Sequence, residues 1–383
     1  MSDVVVLAYF PDDLTRVYQL TQWLPVLEVL DDDLRVGVVT RDPGVAEACR
    51  RLTRLPVHLA PSFAELMTLY GELDAKLVVY CNNSPRNFES LVDPRMLHVH
   101  VNHGESDKQS MASNNAKAYD RVFVAGTAAV ERHLAGLMEF DPARLVRVGR
   151  PQLDLHPEPL LPASERRTVL YAPTWEGDAD YNSYTSVDVH GCEIVRSILA
   201  LPRVRLVYKP HPKVTTSDRP DIRDAHRAIL DTVASADARE PDAGHTAITS
   251  GDILAVMPGC DVIVTDVSSV GLDWLYLQTD KPIVLTDRHH DPDRLRKDVP
   301  VSRCADVVDG TDLGGLTDLL EARLTHDEHH LARLAMRHHY FDELQIGDST
   351  SRFLHAVRDL VLLRDRLIGR GDGTELPQET ASA

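Results

Sequence analysis

The chain has 383 residues, 43% of them hydrophobic, with 41 Lys+Arg against 59 Asp+Glu for a net charge of −18. That length predicts two domains with ample core material. The acidic balance excludes the broad basic footprint of a nucleic-acid binder and general electrostatic adhesion to anionic membranes. No apolar run reaches the roughly 18 residues a membrane span needs, and the first residues lack the basic start of a secretory signal. The five cysteines are far apart and form no CxxC pair. A reduced, cytoplasmic setting is expected, with neither a disulfide framework nor a cysteine zinc site.

Residues 4–9, 35–40, 56–59, 76–81, 97–102 and 121–125 are short, continuously apolar runs. Parallel strands covered on both faces look like this. Segments 13–30, 44–55, 62–73, 86–92 and 127–138 between them carry helical patterning. Strand–helix alternation predicts βαβ units and a parallel sheet. Residues 150–165 hold Pro151, Pro157, Pro159 and Pro162 and read as a linker. Strands then resume at 168–172, 205–208, 262–265 and 282–285, with helices at 218–236, 250–257, 269–277 and 311–324 and a polar loop at 237–250. A last helix is expected over 349–367, then a polar tail at 369–383 of disordered composition. Ligands of such folds bind outside the carboxyl ends of the strands, so the loops that follow strands carry the functional candidates.

Four loops stand out. Asn102-His103-Gly104-Glu105-Ser106-Asp107-Lys108 follows the strand 97–102 and offers an imidazole for proton transfer near neutral pH. Tyr171-Ala172-Pro173-Thr174-Trp175 leads into Asp178-Ala179-Asp180, a DxD spacing read as a solvated loop rather than a metal site. Lys209-Pro210-His211-Pro212-Lys213 holds one imidazole between two prolines and two lysines, a rigid cationic turn suited to an anion. Thr265-Asp266-Val267-Ser268-Ser269 opens an apolar helix, where unpaired N–H groups and hydroxyls make a phosphate cradle without Walker residues. A serine there is also an ordinary N-cap, and both roles are compatible.

Together these loops resemble the glycerophosphotransferases of teichoic acid synthesis, over most of residues 95–360. The most specific piece is Thr265-Asp266-Val267-Ser268-Ser269 with Asp273-Trp274 behind it. It is joined by Tyr171-Ala172-Pro173-Thr174 and Lys209-Pro210-His211-Pro212. After His103-Gly104 the family's Thr-Pro is replaced by Glu105-Ser106, although Lys108 remains. Gly347-Asp348-Ser349-Thr350-Ser351-Arg352 is similar to a family segment that carries glutamate where Ser351 stands. A comparable Gly-Asp-Gly-x-x-x-Ser-Arg segment occurs in non-hydrolysing UDP-N-acetylglucosamine epimerases.

The resemblance implies an α/β GT-B fold: two Rossmann-like parallel-sheet domains facing across a cleft. The acceptor-side domain is expected at 1–152 and the nucleotide-donor domain at 153–347, with a helix at 348–368 that crosses back to the first. It implies transfer of glycerol phosphate, or a related polyol phosphate, from a CDP-activated donor to a hydroxyl of a glycan or lipid-linked acceptor, releasing CMP. His103 and His211 are the expected catalytic residues, and Lys209, Ser268 and Ser269 hold the donor phosphates. Thr174, Asp266, Ser349 and Arg352 contact the nucleotide or donor, and Gly104 and Lys108 lie on the acceptor side. No firmly bound cofactor is implied, with Mg2+ left open, and membrane association is peripheral at most. A GT-B glycosyltransferase using a nucleotide sugar and a non-catalytic nucleotide-binding protein are the alternatives.

Overall fold

A computed structural model of the chain describes residues 4–177 and 179–371. The chain divides into two compact units, one of Met1–His103, Ala112–Leu155 and Leu344–Ala383, the other of Gly104–Met111 and His156–Glu343. The segment Gly104–Met111, read from the sequence as part of the first domain, thus groups with the second unit.

The first unit is built on seven parallel strands: β1 (Val6–Phe10), β2 (Val36–Thr40), β3 (Val57–Leu59), β4 (Leu77–Tyr80), β5 (Leu97–His100), β6 (Arg121–Val124) and β7 (Leu145–Arg147). Their order is β3-β2-β1-β4-β5-β6-β7. The period-2 geometry of a strand sends alternate side chains to opposite faces. Val6, Ala8 and Phe10 therefore meet helix Leu24–Asp31 and the carboxyl-terminal helix on one face, while Leu7 and Tyr9 meet Leu66 and Tyr70 of helix Phe63–Leu73 on the other. The carboxyl-terminal helix, Asp348–Gly371, buries Phe353, Val357, Leu360 and Val361 in this core. Four such side chains contribute roughly 6–12 kcal/mol before ordering costs, enough to hold the helix on this sheet. The helix runs through Gly371, past the expected start of a disordered tail at 369; residues 372–383, and Asp178 of the DxD, lie outside the described residues.

The second unit has six parallel strands: β8 (Arg167–Ala172), β9 (Val204–Tyr208), β10 (Thr246–Ala247), β11 (Val262–Thr265), β12 (Ile283–Thr286) and β13 (Asp306–Val308), ordered β10-β9-β8-β11-β12-β13. Helices Gly191–Leu199, Pro220–Arg239 and Leu316–Thr325 pack on one face through Ile194, Ile198, Ile229 and Leu320.

Two expected helices are corrected. Segment 13–30 breaks into Leu14–Arg16, Tyr18–Thr21 and Leu24–Asp31, because Pro25 has no N–H to continue the ladder and instead sits in the first turn of a new helix. Segment 250–257 forms only the 3₁₀ turns Ile253–Ala255 and Met257–Gly259, the second built around Pro258. Edge strands β7, β10 and β13, of two or three residues each, and helix Gly191–Leu199 were not foreseen.

Candidate functional site

The second unit gathers its candidates at the carboxyl edge of the sheet. Thr174 follows β8, Lys209 follows β9, Ser268 follows β11 and Thr286 ends β12, on four adjacent strands. Helix Ser269–Leu277 starts there with its axis fixed by buried Leu272, Trp274 and Leu275. Ser268 occupies the N-cap position in extended geometry, φ −160° and ψ 175°, yet its side chain makes no cap hydrogen bond. Its Oγ is buried and has no hydrogen-bond partner among the described residues. Ser269, at the first helical position, is partly exposed. A helix start with unpaired N–H groups and an unoccupied hydroxyl is an anion-receiving surface.

Lys209 is 4% exposed. Its ammonium makes no hydrogen bond or ion pair with another described residue. Burial lowers its pKa from the ordinary lysine value, and the charge of Asp252 offsets only part of that. An anion docking beside it would reverse the shift. His211 lies two residues on, its backbone N–H donating to the Pro173 carbonyl at 3.0 Å and its ring stacked on Trp175 at 6.0 Å. Its Nδ1 accepts the Lys213 backbone N–H at 3.2 Å, which puts the proton of the neutral ring on Nε2. Lys213 Nζ sits 3.5 Å from the Trp175 ring centroid, a cation–π contact.

Thr174 joins this edge to the Gly104–Met111 strap. Its Oγ1 accepts from Lys108 Nζ at 3.4 Å, and Lys108 also lies 5.9 Å from the Tyr184 ring centroid. The strap is further pinned where Tyr340 donates its hydroxyl proton to Asp107. Lys108, expected on the acceptor side, is thus brought to the predicted donor residue Thr174. Gly104, which begins the strap, is partly buried.

Asp266, expected to contact the nucleotide or donor, is held inside the same edge. It is 0% exposed. Oδ2 accepts the backbone N–H of Thr174 at 2.7 Å and of Ser186 at 3.2 Å, and Oδ1 accepts the Thr286 hydroxyl at 2.5 Å. Burial raises its pKa while these donors pull it down. Its carboxylate is engaged by these internal donors. Ser186 and Thr286 are functional neighbours that sequence reasoning missed; each is an ordinary Ser or Thr with no motif around it. The same holds for Arg288, which reaches back to pair with Asp188 and donates to the Thr185 carbonyl at 2.8 Å.

The first unit holds His103 at the end of β5. Asn102 adopts φ 53°, a left-handed turn that asparagine tolerates. The Asn102 carbonyl accepts the Trp23 indole N–H at 2.6 Å, and its side-chain oxygen accepts the His103 backbone N–H at 2.8 Å. The imidazole, edge-on to Tyr18 at 6.0 Å, therefore stands on a fixed backbone.

Ser349 and Arg352, expected to contact the nucleotide or donor, also fall in the first unit. Ser349 is 0% exposed and its Oγ accepts the Arg150 backbone N–H at 3.1 Å. It is drawn inside because the helix behind it buries an apolar face in the first core. Arg352, one turn further along the helix, is exposed. Among the described residues no three His, Cys, Asp or Glu side chains cluster as metal ligands, and no helix is long and apolar enough to cross a membrane.

The two parallel-sheet units are those of a GT-B fold, and solved structures of that fold match nearly the whole chain. A variant of the wall teichoic acid polymerase TagF soaked with CDPG is 14% identical with a TM-score of 0.62, covering 94% of this chain and 89% of that chain. A UDP-N-acetylglucosamine 2-epimerase is 14% identical with a TM-score of 0.58, covering 100% of both chains. Anabaena Alr3699/HepE, in complex with UDP and glucose, is 10% identical with a TM-score of 0.57, covering 93% of this chain and 99% of that chain. Residues 96–359 match the family of CDP-glycerol:poly(glycerophosphate) glycerophosphotransferases, and the chain is an enzyme of that family. No curated protein matches it.

Proposed function

We propose that the chain transfers glycerol phosphate, or a related polyol phosphate, from a CDP-activated donor to a hydroxyl of a glycan or lipid-linked acceptor, releasing CMP. One observation carries the reading: the Ser268 hydroxyl at a helix start, buried and without a hydrogen-bond partner among the described residues, on the same sheet edge as the largely buried Lys209. A diphosphate supplies the acceptors and the negative charge that both lack.

In this reading Ser268, Ser269 and the helix N–H groups hold the donor diphosphate. His103 takes the proton of the acceptor hydroxyl. The hydroxyl oxygen bonds to the phosphorus that carries the glycerol, the bridging P–O bond breaks, and CMP departs with that electron pair. Lys209 and the Nε2–H of His211 offset the charge that grows on the departing phosphate. Phosphoryl transfer rests on such positioning and charge stabilisation. The net charge of −18 and the lack of a spanning helix among the described residues support work in the cytoplasm, peripheral at most to the membrane.

The test is incubation with CDP-glycerol, CDP-ribitol and UDP-sugars across a panel of glycan acceptors, with nucleotide release followed by chromatography and products by mass. CMP from a CDP-polyol is expected; turnover of UDP-sugars alone would overturn the reading in favour of a glycosyltransferase. His103→Ala should lower kcat by about 10²-fold or more while CDP-glycerol binding holds. Unchanged turnover removes His103 from the role.

A further inference from the structure

We propose that Asp266 is a positioning residue, whose buried carboxylate sets the distance between the donor-receiving helix start at Ser268 and the Lys108 ammonium carried by Thr174. The proposal deepens the donor reading above and rests on it.

Asp266 stands two residues before Ser268, so anything that fixes it fixes the entry to helix Ser269–Leu277. Its three donors come from three separate pieces of chain: Thr174 after β8, Ser186 in the following loop and Thr286 at the end of β12. The chain around them is tied down as well. The Ser186 hydroxyl bonds the Tyr171 hydroxyl at 2.7 Å, and Thr265 Oγ1 donates to the Ala172 carbonyl at 2.7 Å beside them. Thr174, held by its backbone N–H, turns its side-chain oxygen to Lys108. One carboxylate thereby links the loop that receives the Lys108 ammonium to the helix start that carries the Ser268 hydroxyl.

All three donors are neutral, so geometry rather than an ion pair defines the role. Asparagine can reproduce it. Its carbonyl oxygen takes both backbone N–H groups, and its NH2 faces the Thr286 hydroxyl, which rotates to accept. Alanine cannot, and it leaves two buried N–H groups without acceptors.

The experiment measures CDP-glycerol binding by calorimetry and KM and kcat by CMP release, on the full chain. Asp266→Ala is expected to raise the CDP-glycerol KM about tenfold or more with a smaller change in kcat, and Asp266→Asn to restore KM to within about threefold of wild type. Thr286→Val, which keeps shape and removes one donor, should raise KM by about two- to fivefold even if the alanine variant folds poorly. Lys108→Met should cost less in the Asp266→Ala background than in wild type, a coupling that a merely structural residue would not show. Wild-type KM in Asp266→Ala or Thr286→Val, equal damage from Asn and Ala, or fully additive Lys108 and Asp266 effects would each overturn the assignment alone. Failure of the wild type to bind CDP-glycerol would overturn the donor reading, and this assignment with it.

Discussion

Helix Ser269–Leu277 of the second unit and helix Asp348–Gly371 of the first both carry hydroxyl residues in their first turn, and both starts resemble nucleotide-binding segments. At the first, the Ser268 hydroxyl has no hydrogen-bond partner among the described residues. At the second, Ser349 Oγ accepts the Arg150 N–H, Thr350 N–H donates to Asp154 Oδ2 at 2.6 Å, and Asp348 Oδ2 accepts the Gln345 N–H at 2.9 Å. Three other α-helices do carry a side-chain cap: Asp42 accepts from Val45, Asp291 accepts from Arg294, and Ser62 and Glu65 form a capping box. A cap bond contributes about 1 kcal/mol, so a serine in cap position that makes none is available for something else. The two starts differ in whether the protein itself has already answered the hydroxyl.

The sharpest break of this comparison is Gly149→Ala. Gly149 has φ +78°, and a Cβ there would lie 2.2 Å from Ser349 Oγ and 2.6 Å from Leu344 Cδ1. Left-handed strain and overpacking together should cost about 3 kcal/mol. Urea unfolding would register the loss, with the CDP-glycerol KM of the folded protein unchanged. A raised KM would place Ser349 at the donor site.

Lys209→Met probes the opposite start. Loss of one charge-assisted contact should raise the CDP-glycerol KM about tenfold to a hundredfold. The same change should raise the melting temperature of the unliganded protein at pH 7. Below the lowered pKa of Lys209, folded and unfolded chains are both charged there and the burial penalty is fully present. As pH climbs through that lowered value towards the ordinary lysine value, the folded chain sheds its proton first and the penalty fades. Stability at this residue therefore rises with pH while donor affinity falls, and the methionine variant should show neither trend. A variant that melts lower would mean that the ammonium has an internal stabilising role.

Much of this was legible in the sequence. Continuous apolar runs marked β1, β2, β4, β8, β9 and β11, because strands covered on both faces need apolar residues at every position. Strand ends then located Lys209, His211 and Ser268. What stayed hidden depends on partners far along the chain. Ser349 meets Arg150 across 199 positions, and Asp266 meets Thr174, Ser186 and Thr286 across 92, 80 and 20. No local pattern distinguishes a hydroxyl with such a partner from one without. The strap carrying Lys108 is hidden for the same reason, since its place is set by Thr174 and Tyr340 rather than by the strand it follows.

The smallest expected effects come from the two serines themselves, and they are the most direct measure of the contrast. Ser268→Ala removes a hydroxyl that bonds to nothing in the described chain, so stability should change by less than about 0.5 kcal/mol. The CDP-glycerol KM should still rise about three- to tenfold, the weight of one hydrogen bond to a charged acceptor. Ser349→Ala leaves the buried Arg150 N–H without its acceptor, so stability should fall by about 1–2 kcal/mol with KM unaltered. The pair is read on the same two axes, denaturant midpoint and KM, and the effects should lie on different ones. If Ser268→Ala instead lowers the midpoint as much as Ser349→Ala and leaves KM alone, Ser268 is a cap after all, and the anion-receiving edge loses its central residue.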